Sequence, residues 1–145
     1  MERTFKIIYT SDTHGHIFPV NYAAGCGESS GLLNLAAQID KNGNTLVLDG
    51  GDSLQGTPLV QYYLAHADEF PHHPVAEAFN AMGCDYFTLG NHDFNFGYDA
   101  LRAYLCAMDG VCLCANVQDL GGALPLLPET VHTLKNGLRI GITGI

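Results

Sequence analysis

Alternation is what most constrains this chain. Short runs rich in β-formers are separated by segments at helical spacing, and turns bearing aspartate or histidine follow the first three runs. Phe5 to Thr10 reads as a strand. Leu32, Leu33, Leu35, Ala36 and Ile39 follow at helical spacing until Asn42-Gly43-Asn44 stops them. Thr45 to Leu48 is a second strand. Thr57 is placed to cap a helix with Pro58 at its first position, and Leu59 to Ala65 continues it. Pro71 to Pro74 interrupts. Val75 to Met82 predicts a helix closed by Gly83, Tyr86 to Leu89 a strand, and Tyr98 to Met108 a helix. Val111 to Val117 and Leu138 to Ile145 read as the fourth and fifth strands, with Gly121 to Pro128 as the longest loop. Strand-helix alternation of this kind implies an α/β fold, a layered, mainly parallel sheet flanked by helices.

At 145 residues the chain matches one domain. The last run, Gly141 to Ile145, has no helix or cap behind it, so residues 1–145 are expected to be a fragment of a longer protein. Charged residues make up 14% and hydrophobic ones 47%, which excludes a disordered acidic tail. No apolar run approaches the roughly 20 residues that span a bilayer, so no membrane partner is expected. Against 15 acidic residues stand 6 basic ones, a net charge of −9, which argues against a nucleic-acid polymer as partner.

Five cysteines, Cys26, Cys84, Cys106, Cys112 and Cys114, include no Cys-x-x-Cys pair. They read as reduced structural residues, which favours a reducing compartment. With no charged start followed by an apolar signal segment, the chain as it stands is expected to be cytoplasmic, or exported or periplasmic where a signal peptide has been removed.

Three patches carry chemistry. Asp12-Thr13-His14 follows the first strand, Gly50-Gly51-Asp52 the second and Gly90-Asn91-His92-Asp93 the third. Carboxyl ends of parallel strands are where open α/β sheets bind ligands. Asp12 and His14, two apart, leave an extended backbone on the same side and can begin a site for a borderline cation. Taken singly, each patch is more often a turn. Their order, each at a strand end, is the signal.

Longer stretches narrow it: Thr10 to Gly15, Gly51-Asp-Ser-Leu-Gln-Gly-Thr-Pro58, Leu89-Gly-Asn-His-Asp-Phe-Asn-Phe-Gly97 and Ala115-Asn-Val117. Together they resemble the 5′-nucleotidase and 2′,3′-cyclic-nucleotide 2′-phosphodiesterase family of calcineurin-like metallophosphoesterases. The resemblance runs from Phe5 to the end and covers the first part of that family's catalytic domain. The later metal-binding histidines and the C-terminal nucleotide-binding domain are not in this sequence.

The resemblance implies a fold and a site. Asp12 and His14 would bind one divalent ion, Asp52 would bridge two, and Asn91 would bind the second. The ions would be Zn, Mn, Fe or Co. They would leave the site positive toward a phosphate despite the overall charge. His92 would stabilise the transition state and protonate the leaving oxygen, while a metal-bound hydroxide attacks in line on a small nucleotide phosphoester. Where 5′-nucleotidases place an orienting aspartate three residues after this histidine, the chain has Asn95, a pattern closer to the cyclic-nucleotide branch. Asp93 either supports the imidazolium by charge or caps the turn.

Asn95, Asn116 and His16 are candidate substrate contacts. His66, His72, His73 and His132 read as surface or loop residues, and Phe94 and Phe96 as packing beneath the loop. Two other readings stay open: hydrolysis of a non-nucleotide ester, and a non-catalytic phosphate or metal-binding module. A Rossmann oxidoreductase is excluded, because no Gly-x-Gly-x-x-Gly follows the first strand. The 145-residue chain by itself is expected to hydrolyse poorly.

Overall fold

The computed structural model describes residues 2–145. Strand β1 (Lys6–Thr10) leads through a short hairpin, β2 (Val20–Asn21) and β3 (Cys26–Gly27), to helix α1 (Leu32–Ala36). Next come β4 (Thr45–Asp49), α2 (Pro58–Ala65), α3 (Pro74–Met82), β5 (Tyr86–Phe87) and α4 (Tyr98–Ala107). The chain continues through β6 (Val111–Leu113), β7 (Leu126–Leu127), β8 (Glu129–Thr133) and β9 (Arg139–Thr143). Five strands form a parallel sheet in the order β1-β4-β5-β6-β7, flanked by helices. Among the described residues no helix is long and apolar enough to cross a membrane.

Strand position follows side-chain chemistry. Leu46 and Val47 of β4 are buried on opposite faces, as a strand paired on both sides and covered on both faces requires. Edge strand β1 instead leaves Ile7 48% and Tyr9 63% exposed. Helix α2 starts where the Thr57 side chain accepts from the Val60 N–H, with Pro58 next, where its missing N–H costs nothing. Helix α3 buries Val75, Ala76, Phe79 and Met82, then stops at Gly83 in the left-handed region. It packs against α1, α2 and α4 at the centre of the core.

Four expectations need correcting. The fifth strand of the parallel sheet is β7, inside the stretch read as a loop. Two residues between Pro125 and Pro128 carry almost no propensity signal. The Leu138 to Ile145 run instead forms β9, antiparallel to β8 in a separate ribbon. Asn136-Gly137 between two alternating runs is the hairpin signal that accounts for it. Only Cys84, Cys112 and Cys114 are buried; Cys26 and Cys106 are exposed, and all five are free. Phe94 is 41% exposed, not packed beneath its loop, whereas Phe96 packs against the core.

His73 is the fourth. It is 4% exposed, between the Tyr63 and Tyr104 rings, where its Nδ1 accepts from the Ala76 N–H and caps α3. Burial pushes its imidazole down from 6.5 to about 4. The unfolded chain takes up that proton near pH 6.5 and the folded chain only near 4, so stability falls as pH drops through this window. Asp49 acts oppositely. Burial lifts its carboxyl from 3.8 to about 6, so the folded state protonates first and gains stability as pH falls across that range. His73→Asn keeps a capping side chain and removes the imidazole titration. Urea unfolding should show it losing on the order of 2 kcal/mol less than wild type between pH 6.5 and 4. Parallel stability curves for the two proteins would contradict the buried neutral imidazole.

Candidate metal centre

The first two patches are stitched together by main chain. Beyond the last β1–β4 pair, Gly50 N–H donates to the Thr10 carbonyl, Asp12 N–H to Gly51 and His14 N–H to Asp52, at 2.8, 2.9 and 2.9 Å. Asp12, His14 and Asp52 adopt positive φ angles of 53°, 47° and 58°, and no other non-glycine residue among those described does so. Such conformations cost roughly 1–3 kcal/mol each and persist where surrounding structure over-determines them. Here they bring one donor atom from each side chain within 4.8 Å of the others.

The ring of His14 is fixed by its far nitrogen. Nδ1–H donates to the Gln55 carbonyl oxygen at 2.8 Å, which leaves Nε2 with a lone pair for a cation. Asp52, 9% exposed, accepts from the His92 N–H at 2.7 Å through Oδ1. Gly51, at φ 92°, lets the second patch touch the third: a Cβ there would strike the Gly90 amide nitrogen. Asn91 is exposed and opens a 3₁₀ turn, Asn91–Phe94, between two residues whose backbones touch Asp52.

Two buried carboxylates lie under this surface. Asp93, 1% exposed, accepts from the N–H groups of Asp52 (2.9 Å), Ser53 (2.8 Å), Leu54 (2.9 Å) and Gly90 (3.0 Å). Its oxygens are committed to main chain, so it acts on the loops and not on the imidazole as a charge partner. Asp49 accepts from the Thr10 hydroxyl, the Gly51 N–H and the Ser53 hydroxyl. Both carboxylates add negative potential beneath the donors.

The remaining predicted residues divide. Asn95 reaches His92, its Nδ2 lying 3.0 Å from Nδ1. His16 is exposed and lines a cleft of about 470 Å³ with Asp12 and Thr13. Asn116 is exposed in a turn after β6, where it accepts from the Cys114 thiol and touches none of the donors. His66 is half-buried and stacks on Tyr62, His72 is exposed, and His132 pairs with the Tyr86 hydroxyl at 2.9 Å from β8. Sequence reasoning passed over Gln55 and Asp49. Asp49 carries a signal in retrospect, a polar residue closing an apolar strand just before two glycines.

Mixed carboxylate and imidazole donors at the carboxyl edge of a parallel sheet define an α/β protein with a side-chain group able to hold a divalent cation. The chain belongs to the calcineurin-like phosphoesterases, whose family model matches residues 5–141. It is 32% identical over 137 residues to the trifunctional nucleotide phosphoesterase protein YfkN of Bacillus subtilis, covering 88% of this chain and 9% of that protein. It is 31% identical over 154 residues to a 2′,3′-cyclic-nucleotide 2′-phosphodiesterase/3′-nucleotidase of Salmonella typhimurium, covering 96% and 24%. The structure of a 5′-nucleotidase homologue from Staphylococcus aureus superimposes with a TM-score of 0.77 at 30% identity, covering 96% of this chain and 28% of that one. The chain therefore spans less than a third of each of these proteins. Metallophosphoesterases use divalent metals, and the donor set fits one.

Proposed function

We propose that this chain forms part of a dinuclear metal-dependent hydrolase of nucleotide phosphoesters, of the 5′-nucleotidase or 2′,3′-cyclic-nucleotide phosphodiesterase/3′-nucleotidase type. The observation that carries the reading is the convergence of Asp12, His14 and Asp52, each held in a backbone conformation that only the surrounding bonds sustain. The names of the two enzyme relatives support the substrate class. Asp12 and His14 would hold one ion, Asp52 would be shared, and Asn91 would add a neutral oxygen to the second. Bound divalent ions would supply Lewis-acid charge for the phosphoryl oxygens and lower the pKa of attacking water.

The chain's own residues do the rest. His92 faces the leaving group with Nδ1 engaged, so the proton that moves is the one on Nε2 of its imidazolium. It passes to the leaving oxygen as the P–O bond breaks and a water oxygen takes its place on phosphorus. His16 and Thr13, along the cleft beside Asp12, are positioned to line the path of the ester.

The test is a substrate panel on the intact protein with added Mn²⁺ or Zn²⁺: 2′,3′-cyclic AMP, 3′-AMP, 5′-AMP, UDP-glucose and bis-p-nitrophenyl phosphate. Turnover of the nucleotides is expected to exceed that of UDP-glucose. Preference for UDP-glucose would sink the nucleotide reading, and no bound metal with no turnover would favour a binding module. The 145-residue chain alone should bind metal weakly and turn over slowly, because three converging donors and Asn91 underfill two coordination spheres. Wild-type rates from it would contradict that.

A further inference from the structure

Gln55 stands between two imidazoles, and its neighbours pin its backbone. Leu54 is fully buried with its N–H on Asp93, and the Thr57 hydroxyl donates to the Gly15 carbonyl at 3.0 Å. Gly56, at φ 142°, presses on His14 so closely that a Cβ would lie 2.6 Å from the His14 carbonyl oxygen. From this place the Gln55 carbonyl takes the His14 Nδ1–H at 2.8 Å, while its side-chain Oε1 lies 3.1 Å from His92 Nδ1. Asn95 Nδ2 donates to the same Oε1. With the His92 proton on Nδ1, Gln55 Oε1 accepts from it; with the proton on Nε2, Asn95 Nδ2, 3.0 Å from the same Nδ1, donates to it instead, so the two amides favour opposite tautomers. The two rings stand edge to face with centroids 5.4 Å apart.

We propose that Gln55 is the positioning residue of this site, setting the tautomer of His14 through its backbone and of His92 through its side chain, so that both rings present Nε2. Asn95, at the position where the resemblance puts an orienting aspartate, anchors Gln55 and also lies within reach of Nδ1, so Gln55 must outweigh it to hold the proton there. The division of labour is testable, because mutation deletes the side chain and leaves the carbonyl. The kinetic consequence rests on the reading of His92 as proton donor; the tautomer does not.

Nitrogen-15 spectra of the metal-free intact protein, with its rings neutral, should show Nδ1–H at both His14 and His92. Gln55→Ala should leave His14 so and release His92 to a mixture, and Gln55→Glu, whose carboxylate accepts the same N–H, should restore it. Gln55→Met keeps the volume without the oxygen and replaces the alanine variant if that fails to fold. In the metal-loaded protein Gln55→Ala should lower kcat on 3′-AMP about 10–100-fold, with KM and metal content unchanged, as when a group orienting an imidazole is removed. The loss should be smaller on a p-nitrophenyl ester, and Gln55→Glu should recover part of it. A proton on Nε2 of His92 in the wild type, or a tautomer indifferent to Gln55→Ala, overturns the inference. If the tautomer shifts as expected but His92→Ala retains full turnover, the positioning stands and the assignment of His92 as acid falls.

Discussion

His92→Ala in the intact protein should retain its metal and lose about 10²–10⁴-fold in kcat on 3′-AMP, the usual contribution of a positioned general acid. The imidazole pairs with Gln55 and Asn95 and packs edge to face on the His14 ring without bonding any donor atom; its main-chain N–H reaches Asp52. That N–H survives the substitution, so metal content should not move. A p-nitrophenoxide needs less protonation as it leaves, so the loss on that ester should be smaller. Asp52→Asn is the contrast. It weakens a donor that the proposed reading shares between two ions, so metal content and turnover should fall together whatever the leaving group. If His92→Ala loses metal as Asp52→Asn does, or loses equally on both esters, the acid role is wrong.

A comparable effect on stability is expected at Asp93. Removing its carboxylate leaves four amide N–H groups, from Asp52, Ser53, Leu54 and Gly90, without their acceptor in a buried setting. Each such orphan costs about 1–3 kcal/mol, so Asp93→Ala should lose about 4 kcal/mol or more in urea unfolding. For a domain of this size that corresponds to roughly 8–16 °C in Tm. Asp93→Asn keeps one accepting oxygen and should fall between the two. Because the loop carrying Asp52 hangs from this carboxylate, metal affinity should decline with stability. Activity per bound metal, and its leaving-group dependence, should stay near wild type. A variant within 1 kcal/mol of wild type that nonetheless loses turnover selectively on 3′-AMP would make Asp93 the partner of the imidazole after all.

Much of the site is legible in the order of the residues, because its signals are local. Asp12, His14 and Asp52 lie within four residues of strands whose apolar runs announce them, and parallel pairing brings the ends of such strands together. Thr57-Pro58 and Gly83 mark helix ends by chemistry that needs no partner elsewhere. What tertiary structure alone decided is where polar groups find partners across long sequence separations. Asp93 reads as either a charge partner or a cap until the loop some 40 residues earlier supplies its N–H groups. Gln55 is an unremarkable loop glutamine until two histidines, 41 residues before and 37 after, close around it. β7 has two residues and no pattern, and becomes a strand because β6 offers it a free edge. Local backbone and side-chain preferences act over a few residues and are written in composition and spacing. Hydrogen-bond satisfaction in a buried site is a property of the assembled molecule, because an unpaired group is costly only once folding has taken water away from it.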